Sequence, residues 1–198
     1  MKKYALLLPD IYREVVNGER RSREFLRILR FPRRVVICPL CRKDIPDAFQ
    51  SRISRYWCRN CHYRFFDFSK TLLASNKLPW SKVITAAHLF ILGKSAHQTA
   101  GILNINYKSA HSLFSKMRLA ILLFHSMPKK HQIGLGRKGK VYLKPGFARY
   151  LKGRIESYRH PSPKNRLLYL KEQEFKYDPE NKSEALTKLL RYLLNPLK

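Results

Sequence analysis

Four cysteines constrain this chain more than any other feature. They are Cys38, Cys41, Cys58 and Cys61, all the cysteines of the 198 residues, arranged C-x2-C-x16-C-x2-C. Each C-x-x-C places two sulfurs on one tight turn, and two such turns facing one another close a tetrahedron of thiolates that Zn²⁺ accepts. Two disulfides would suit a small exported domain, but a chain this long builds a core without staples. The apolar stretch after Met1-Lys2-Lys3 also stops at Pro9-Asp10, too soon for an export signal. A redox C-x-x-C needs only one pair, on a βαβ frame that the sequence lacks. The spacing therefore predicts Zn²⁺ held by the four cysteines in a ribbon of two or three short strands. His62 is expected at the surface or in packing, because four thiolates already complete the shell.

The charge balance names the partner class. Forty-one Lys and Arg stand against 13 Asp and Glu, a net +28. Such a surplus points to polyanions, above all nucleic acid. No Asp or Glu occurs anywhere from Phe68 to Ile155, so chemistry that needs paired carboxylates has nothing to use there. Apolar residues at 44% and aromatics at 12% are enough for a packed core. The apolar run from Val83 to Gly93 is about half of a membrane span, so no membrane partner is expected. The expected compartment is reducing: the cytoplasm, in association with the nucleoid, or the nucleus of a eukaryote.

The fold expected is α+β and mainly α. A basic helical segment covers 1–34, a four-cysteine zinc ribbon 35–69, a helix-turn-helix domain 70–127, a basic linker 128–144 and C-terminal helices 145–198. In the first segment Ser22 can cap a helix through Arg30, with Phe25, Leu26 and Leu29 on one stripe and Pro32 at its end. Val35-Val36-Ile37 and Arg55-Tyr56-Trp57 are β-prone runs leading into the two cysteine turns. Most of Tyr63, Phe65, Phe66 and Phe68 should pack beside the metal, since so small a module has little other core. Pro79 suits a helix start and Gly93 its stop.

From Lys94 to Ser126 the register is that of a helix-turn-helix. Ser95 can cap a short helix through Leu103, with Ala100 at the close approach. Asn104 takes the turn position usually held by Gly, because Asn tolerates the left-handed region. Ile105 is expected buried, and Asn106 sits where an N-cap oxygen is wanted. A second helix then runs from Tyr107 to about Phe124, with Ala110, Leu113, Phe114, Met117, Ile121 and Phe124 as its core stripe. Its start, Asn106 to Ser109, and its opposite face, Lys108, His111, Ser112, Ser115 and Lys116, are the expected contacts to double-stranded DNA. Leu119 points outward and suits contact with another segment or a second subunit.

In the linker, Lys129, Lys130, Arg137, Lys138 and Lys140 can track phosphates without reading sequence. Gly134-Leu135-Gly136-Arg137-Lys138-Gly139 is spaced like a dinucleotide fingerprint, but no strand–helix frame surrounds it. Beyond it, helices are expected over Gly146 to Ile155, Lys164 to Lys171 and Ser183 to Leu194, with Tyr169, Leu170, Phe175 and Tyr177 on their apolar side.

The order of these parts resembles the zinc-ribbon DDE-type insertion-sequence transposases. The resemblance is carried by Phe31-Pro32, Cys38-Pro39-x-Cys41, Tyr56-x-Cys58-x-x-Cys61 with Phe65, Leu78-Pro79-x-Ser81, and Asn106-Tyr107-Lys108-Ser109-Ala110. It resumes at the end of the chain with Gly146-Phe147, Leu151-Lys152, Tyr158-Arg159-His160-Pro161-Ser162, Leu170-Lys171-Glu172 and Phe175-Lys176-Tyr177. It implies that the ribbon and helix-turn-helix bind an element's terminal repeats. It also implies that an RNase-H-like domain with two catalytic Asp residues should lie between the two parts. Only Met127 to Lys144 stands there, and the third acid would fall at Pro145. Two-metal strand transfer needs carboxylates, so a truncated, catalytically inactive copy is expected rather than an enzyme. It would act on double-stranded DNA, as a homo-oligomer or with a full-length transposase. The alternative is a basic zinc-ribbon structural protein binding RNA in a ribonucleoprotein particle.

Overall fold

The computed structural model describes residues 18–46, 55–125, 134–135, 141–142, 145–155, 165–177 and 182–197. The first helix, α1, spans Glu19–Arg30. It starts a turn earlier than Ser22, which lies inside it and donates its hydroxyl to the Gly18 carbonyl at 3.0 Å. Leu26 and Leu29 are buried and Phe25 packs beside them, as the spacing predicts.

Among its described residues the cysteine region holds four strands rather than two or three: β1 (Val36–Ile37), β2 (Asp44–Ile45), β3 (Arg55–Trp57) and β4 (Arg64–Phe66). They form two antiparallel hairpins, β1 with β2 and β3 with β4. The extra strands follow each C-x-x-C because the chain reverses at Arg42 and His62, whose φ angles are +63° and +56°. The reversals are hydrogen-bonded alike. Arg42 and His62 donate backbone N–H groups to Cys38 O at 3.0 Å and Cys58 O at 2.8 Å. The Cys38 and Cys58 N–H groups bond in turn to Lys43 O and Tyr63 O at 2.9 and 3.0 Å. The hairpins thus correspond position for position, and both turn apolar residues inward: Val36, Tyr56 and Phe65 are buried with Phe31, and Ile45 packs against them.

The remaining described helices are α2 (Trp80–Ile91), α3 (Ala96–Leu103), α4 (Tyr107–Phe124), α5 (Pro145–Ile155), α6 (Arg166–Tyr177) and α7 (Lys182–Leu194). Trp80, not Pro79, is the first residue of α2, and Pro79 supplies no capping oxygen. Glu19 of α1 caps the helix instead, accepting the Trp80 and Ser81 N–H groups at 2.8 and 3.3 Å. At the other end Gly93, at φ +81°, closes a Schellman turn, with Lys94 N–H bonded to Leu89 O and Gly93 N–H to Phe90 O, each at 3.0 Å. Two short strands, β5 (Gly134–Leu135) and β6 (Val141–Tyr142), pair antiparallel within the stretch expected to be linker. Leu135, Val141 and Tyr142 have the β-preference for it.

One apolar cluster unites the described helices other than α5. Leu26, Phe68, Leu73, Val83, Ile84, Phe90, Phe114, Met117 and Ile121 share it with Phe175, Leu186, Leu189 and Leu193. Helices α1, α2, α4, α6 and α7 are therefore one packed body rather than successive modules. Phe90 meets Phe114 edge-on at 5.0 Å between ring centroids, and each such fully buried ring contributes about 1.5–3 kcal/mol.

Helix α6 continues past Lys171, where the polar sequence suggests an end. Glu172, Gln173 and Glu174 are all buried there. Glu172 accepts from Arg118 of α4 at 2.6 Å and is also paired with Lys176 one turn along. Burial raises the Glu172 pKa, but Lys176 and Arg118 outweigh it and hold the carboxyl below its ordinary value. The Arg118 guanidinium lies 4.4 Å from the Tyr169 ring centroid and Lys176 Nζ 4.0 Å from that of Phe90, cation–π contacts that favour both charges.

A second buried network joins ribbon to helices. Asp67 is fully buried just after β4. Its carboxylate accepts from Arg23 at 2.8 Å and from the Tyr56 hydroxyl at 2.5 Å, and lies 3.1 Å from Arg27 Nε. Arg27 also donates to Tyr56 Oη at 3.0 Å. Arg30 donates to the Asp67 carbonyl, and to that of Ser69 at 2.9 Å. Burial draws Arg30 down to about 10 against the attraction of Asp67. Among the described residues no helix is long and apolar enough to cross a membrane.

Candidate metal centre and nucleic-acid interface

The hairpin turns bring the four cysteines together. Cys38 Sγ lies 3.6 Å from Cys61 Sγ, and Cys41 Sγ lies 3.5 Å from Cys58 Sγ. All four sulfurs fall within 4.8 Å of one another. A tetrahedron with metal–sulfur bonds of about 2.3 Å has sulfur–sulfur edges of about 3.8 Å, so the spacing fits one metal ion. It does not fit disulfides, whose sulfurs lie about 2.05 Å apart, and all four cysteines are free. The shell is half enclosed: Cys38 and Cys58 are buried, Cys41 and Cys61 partly exposed.

The thiols differ in acidity. The Lys43 backbone N–H, assisted by neighbouring sulfurs, draws Cys41 down to about 6. Cys61 accepts the Tyr63 N–H, which lowers its pKa, but lost solvation and hydrogen bonds to the other sulfurs push it up to about 12. His62 is exposed beside the shell, with its ring 5.7 Å from that of Trp57. Its place is the turn, not the ligand set.

The aromatics after Cys61 divide. Phe65 is buried between the hairpins, Tyr63 packs beside it, and Phe68 leaves to pack against Trp80 in the helical core, the rings tilted with centroids 4.2 Å apart. Phe66 faces outward.

The second expected site lies at the junction of α3 and α4. Ser95 caps α3 through a full capping box with Gln98. Asn104 takes the left-handed conformation at φ +47°, ψ +61°. Asn106 caps α4 by accepting the Lys108 N–H at 2.8 Å. Ile105 is half-buried rather than buried, and Phe124 is half-buried at the end of the stripe. Asn104→Val should cost about 1–2 kcal/mol by placing a β-branched residue in the left-handed region. Asn104→Gly should be nearly neutral, and urea unfolding of the two variants checks the difference.

Along α4, Tyr107, Lys108, His111, Ser112 and Ser115 are exposed, and Ser109 is half-buried. Ser115 donates its hydroxyl to the His111 carbonyl at 3.0 Å. Lys116 is half-buried with Nζ 3.3 Å from Ser75 Oγ, and burial lowers its pKa. It braces α4 against the preceding segment rather than extending the polar face. Arg118 is turned inward onto Glu172. Lys129, Lys130, Arg137, Lys138 and Lys140 lie outside the described residues. Sequence reasoning missed Asp67 and its arginines, which position the ribbon; the last acid before a long acid-free stretch was the available signal. Comparison of the chain with family models, curated proteins and solved structures returns no match.

Proposed function

We propose that this chain is a zinc-dependent DNA-binding protein, derived from a transposase and without catalytic activity. The reading is carried by one observation: a capped helix, an αL turn and a second capped helix leave Lys108, His111, Ser112 and Ser115 exposed at the N-terminal end of α4. The buried side of that helix is locked into the core. In a protein of net charge +28, such a helix end suits the major groove, where lysine and small hydroxyls reach base edges. Zn²⁺ is the ion that an all-thiolate tetrahedron on two tight turns suits best. It would fold the ribbon and do no chemistry.

Two-metal cleavage needs free carboxylates. Of the buried described acids, Asp67 and Glu172 are held by arginines and Glu174 by Lys171 at 2.6 Å. On this reading the protein would occupy terminal repeats or act as a regulator.

Selection from a random duplex library tests the reading. A defined sequence should emerge, and Lys108→Ala or Ser112→Ala should reduce discrimination at particular positions by about 1–3 kcal/mol. The logarithm of the binding constant should fall linearly with log salt, by about 0.9 per phosphate neutralised. Enrichment of structured RNA with no preferred duplex would replace this reading with the ribonucleoprotein one.

A further inference from the structure

The two cysteine hairpins share one backbone, which makes each a control for the other. Inward positions match in kind: Val36 and Ile45 in the first correspond to Tyr56 and Phe65 in the second. Outward positions do not. In the first hairpin Ile37 stands opposite Asp44, while the corresponding pair in the second is Trp57 opposite Arg64. One pair further out in the second hairpin is Arg55 opposite Phe66. Trp57 and Phe66 are 53% and 54% exposed, high for such large rings. The Arg55 guanidinium lies 5.8 Å from the Phe66 ring centroid, and the exposed His62 ring flanks Trp57. Arg55, Arg59 and Arg64 are all exposed, and none is ion-paired to a described acid.

Metal binding does not require this face, because the first hairpin makes the same turn with Ile37 and Asp44. Nor does the ribbon core, which lies on the other side of the strands. We infer that the outer face of β3–β4 is a stacking platform for unpaired bases of a single-stranded nucleic acid, with Trp57 and Phe66 under the bases and Arg55 and Arg64 on the phosphates. Alternating exposed rings and guanidinium groups match the two repeating features of a single strand, flat bases and a charged backbone. A duplex offers only its phosphates here, since its bases are already stacked. The site is separate from helix α4 and from duplex reading.

The test uses the full zinc-loaded chain with oligo-dT and oligo-U of about fifteen nucleotides, within the range such sites cover, and a blunt duplex of equal length. Binding of a single strand should quench Trp57, and the quench should persist in Trp80→Phe, which leaves Trp57 as the sole tryptophan. Trp57→Ala with Phe66→Ala should weaken single-strand binding by about 30-fold or more and leave zinc content and duplex affinity nearly unchanged. Arg55→Ala and Arg64→Ala should each flatten the single-strand salt slope by about 0.7. Tighter binding of dT supports the platform as a DNA site, and tighter binding of U supports it as an RNA site. Unchanged single-strand affinity in the double aromatic variant overturns the inference, as does an equal loss on duplex. Failure to bind either oligonucleotide also overturns it, in favour of a protein partner. Loss of duplex selectivity in the Lys108 and Ser112 variants would not move these readouts, so this inference and the duplex reading stand or fall separately.

Discussion

Cys58→Ser should release the metal and unfold the ribbon. The ribbon's enclosed side chains beyond its cysteines are few: Phe31, Val36, Tyr56 and Phe65. A core of that size does not hold four short strands without a crosslink, and on the proposed reading a bound ion supplies the difference. Structural zinc in such sites contributes about 10–16 kcal/mol of apparent binding energy at neutral pH. A hydroxyl in place of a thiolate opens the shell and forfeits most of it. Elemental analysis should give one zinc per wild-type chain and none per variant, with near-ultraviolet dichroism from Trp57 and Tyr56 lost. Helical dichroism should largely survive, because the helices share a separate core. Wild-type protein purified without metal, its sulfurs paired as disulfides, would overturn the assignment.

Asp67→Ala should destabilise the whole protein by about 3–5 kcal/mol, a large share of an ordinary domain's stability. Arg27 is nearly buried, with Asp67 as its buried counter-charge and the more exposed Glu24 as a second partner at 3.1 Å. Without the Asp67 carboxylate its charge, and part of that of Arg23, stays in a poorly solvated site. Removing both charges at once, in Asp67→Ala with Arg27→Met, should recover much of the loss. Urea midpoints for the set measure the coupling directly. The network also sets an alkaline limit. Burial, and then the hydrogen bond to Asp67, push the Tyr56 phenol from 10 up to about 12. Its contribution is complete below pH 10 and is lost as pH rises from 10 toward 12, because the phenolate can no longer donate to Asp67 and repels it. Tyr56→Phe should remove that alkaline loss while keeping the ring in the ribbon core.

The turn chemistry was legible because its causes are local. A capping oxygen at Ser95 or Asn106 acts on N–H groups two or three residues away, and Asn104 tolerates φ +47° by its own side chain. The C-x-x-C turns likewise enclose their own hydrogen bonds, so the convergence of the four cysteines followed from spacing alone. Each of these signals acts within one turn of chain, where sequence and geometry coincide.

What the tertiary structure alone decided involves partners far apart in the chain. Glu19 caps α2 from another helix, replacing the oxygen that Pro79 lacks. The polar run Glu172-Gln173-Glu174 lies inside the protein only because Arg118 and Lys176 neutralise Glu172 there. Among the described residues, helices that read as belonging to successive modules share one core, since apolar stripes reveal that a face is buried but not against which helix. The aromatics show the same limit. By composition Phe65, Phe66 and Phe68 are equivalent, and only strand register and the exit into α2 send the first inward, the second outward and the third to another core. The sequence on its own determined the clustering of the four cysteines and the capped turns, which need only their neighbours; the positions of the buried charges and of the exposed rings depended on which distant surfaces met.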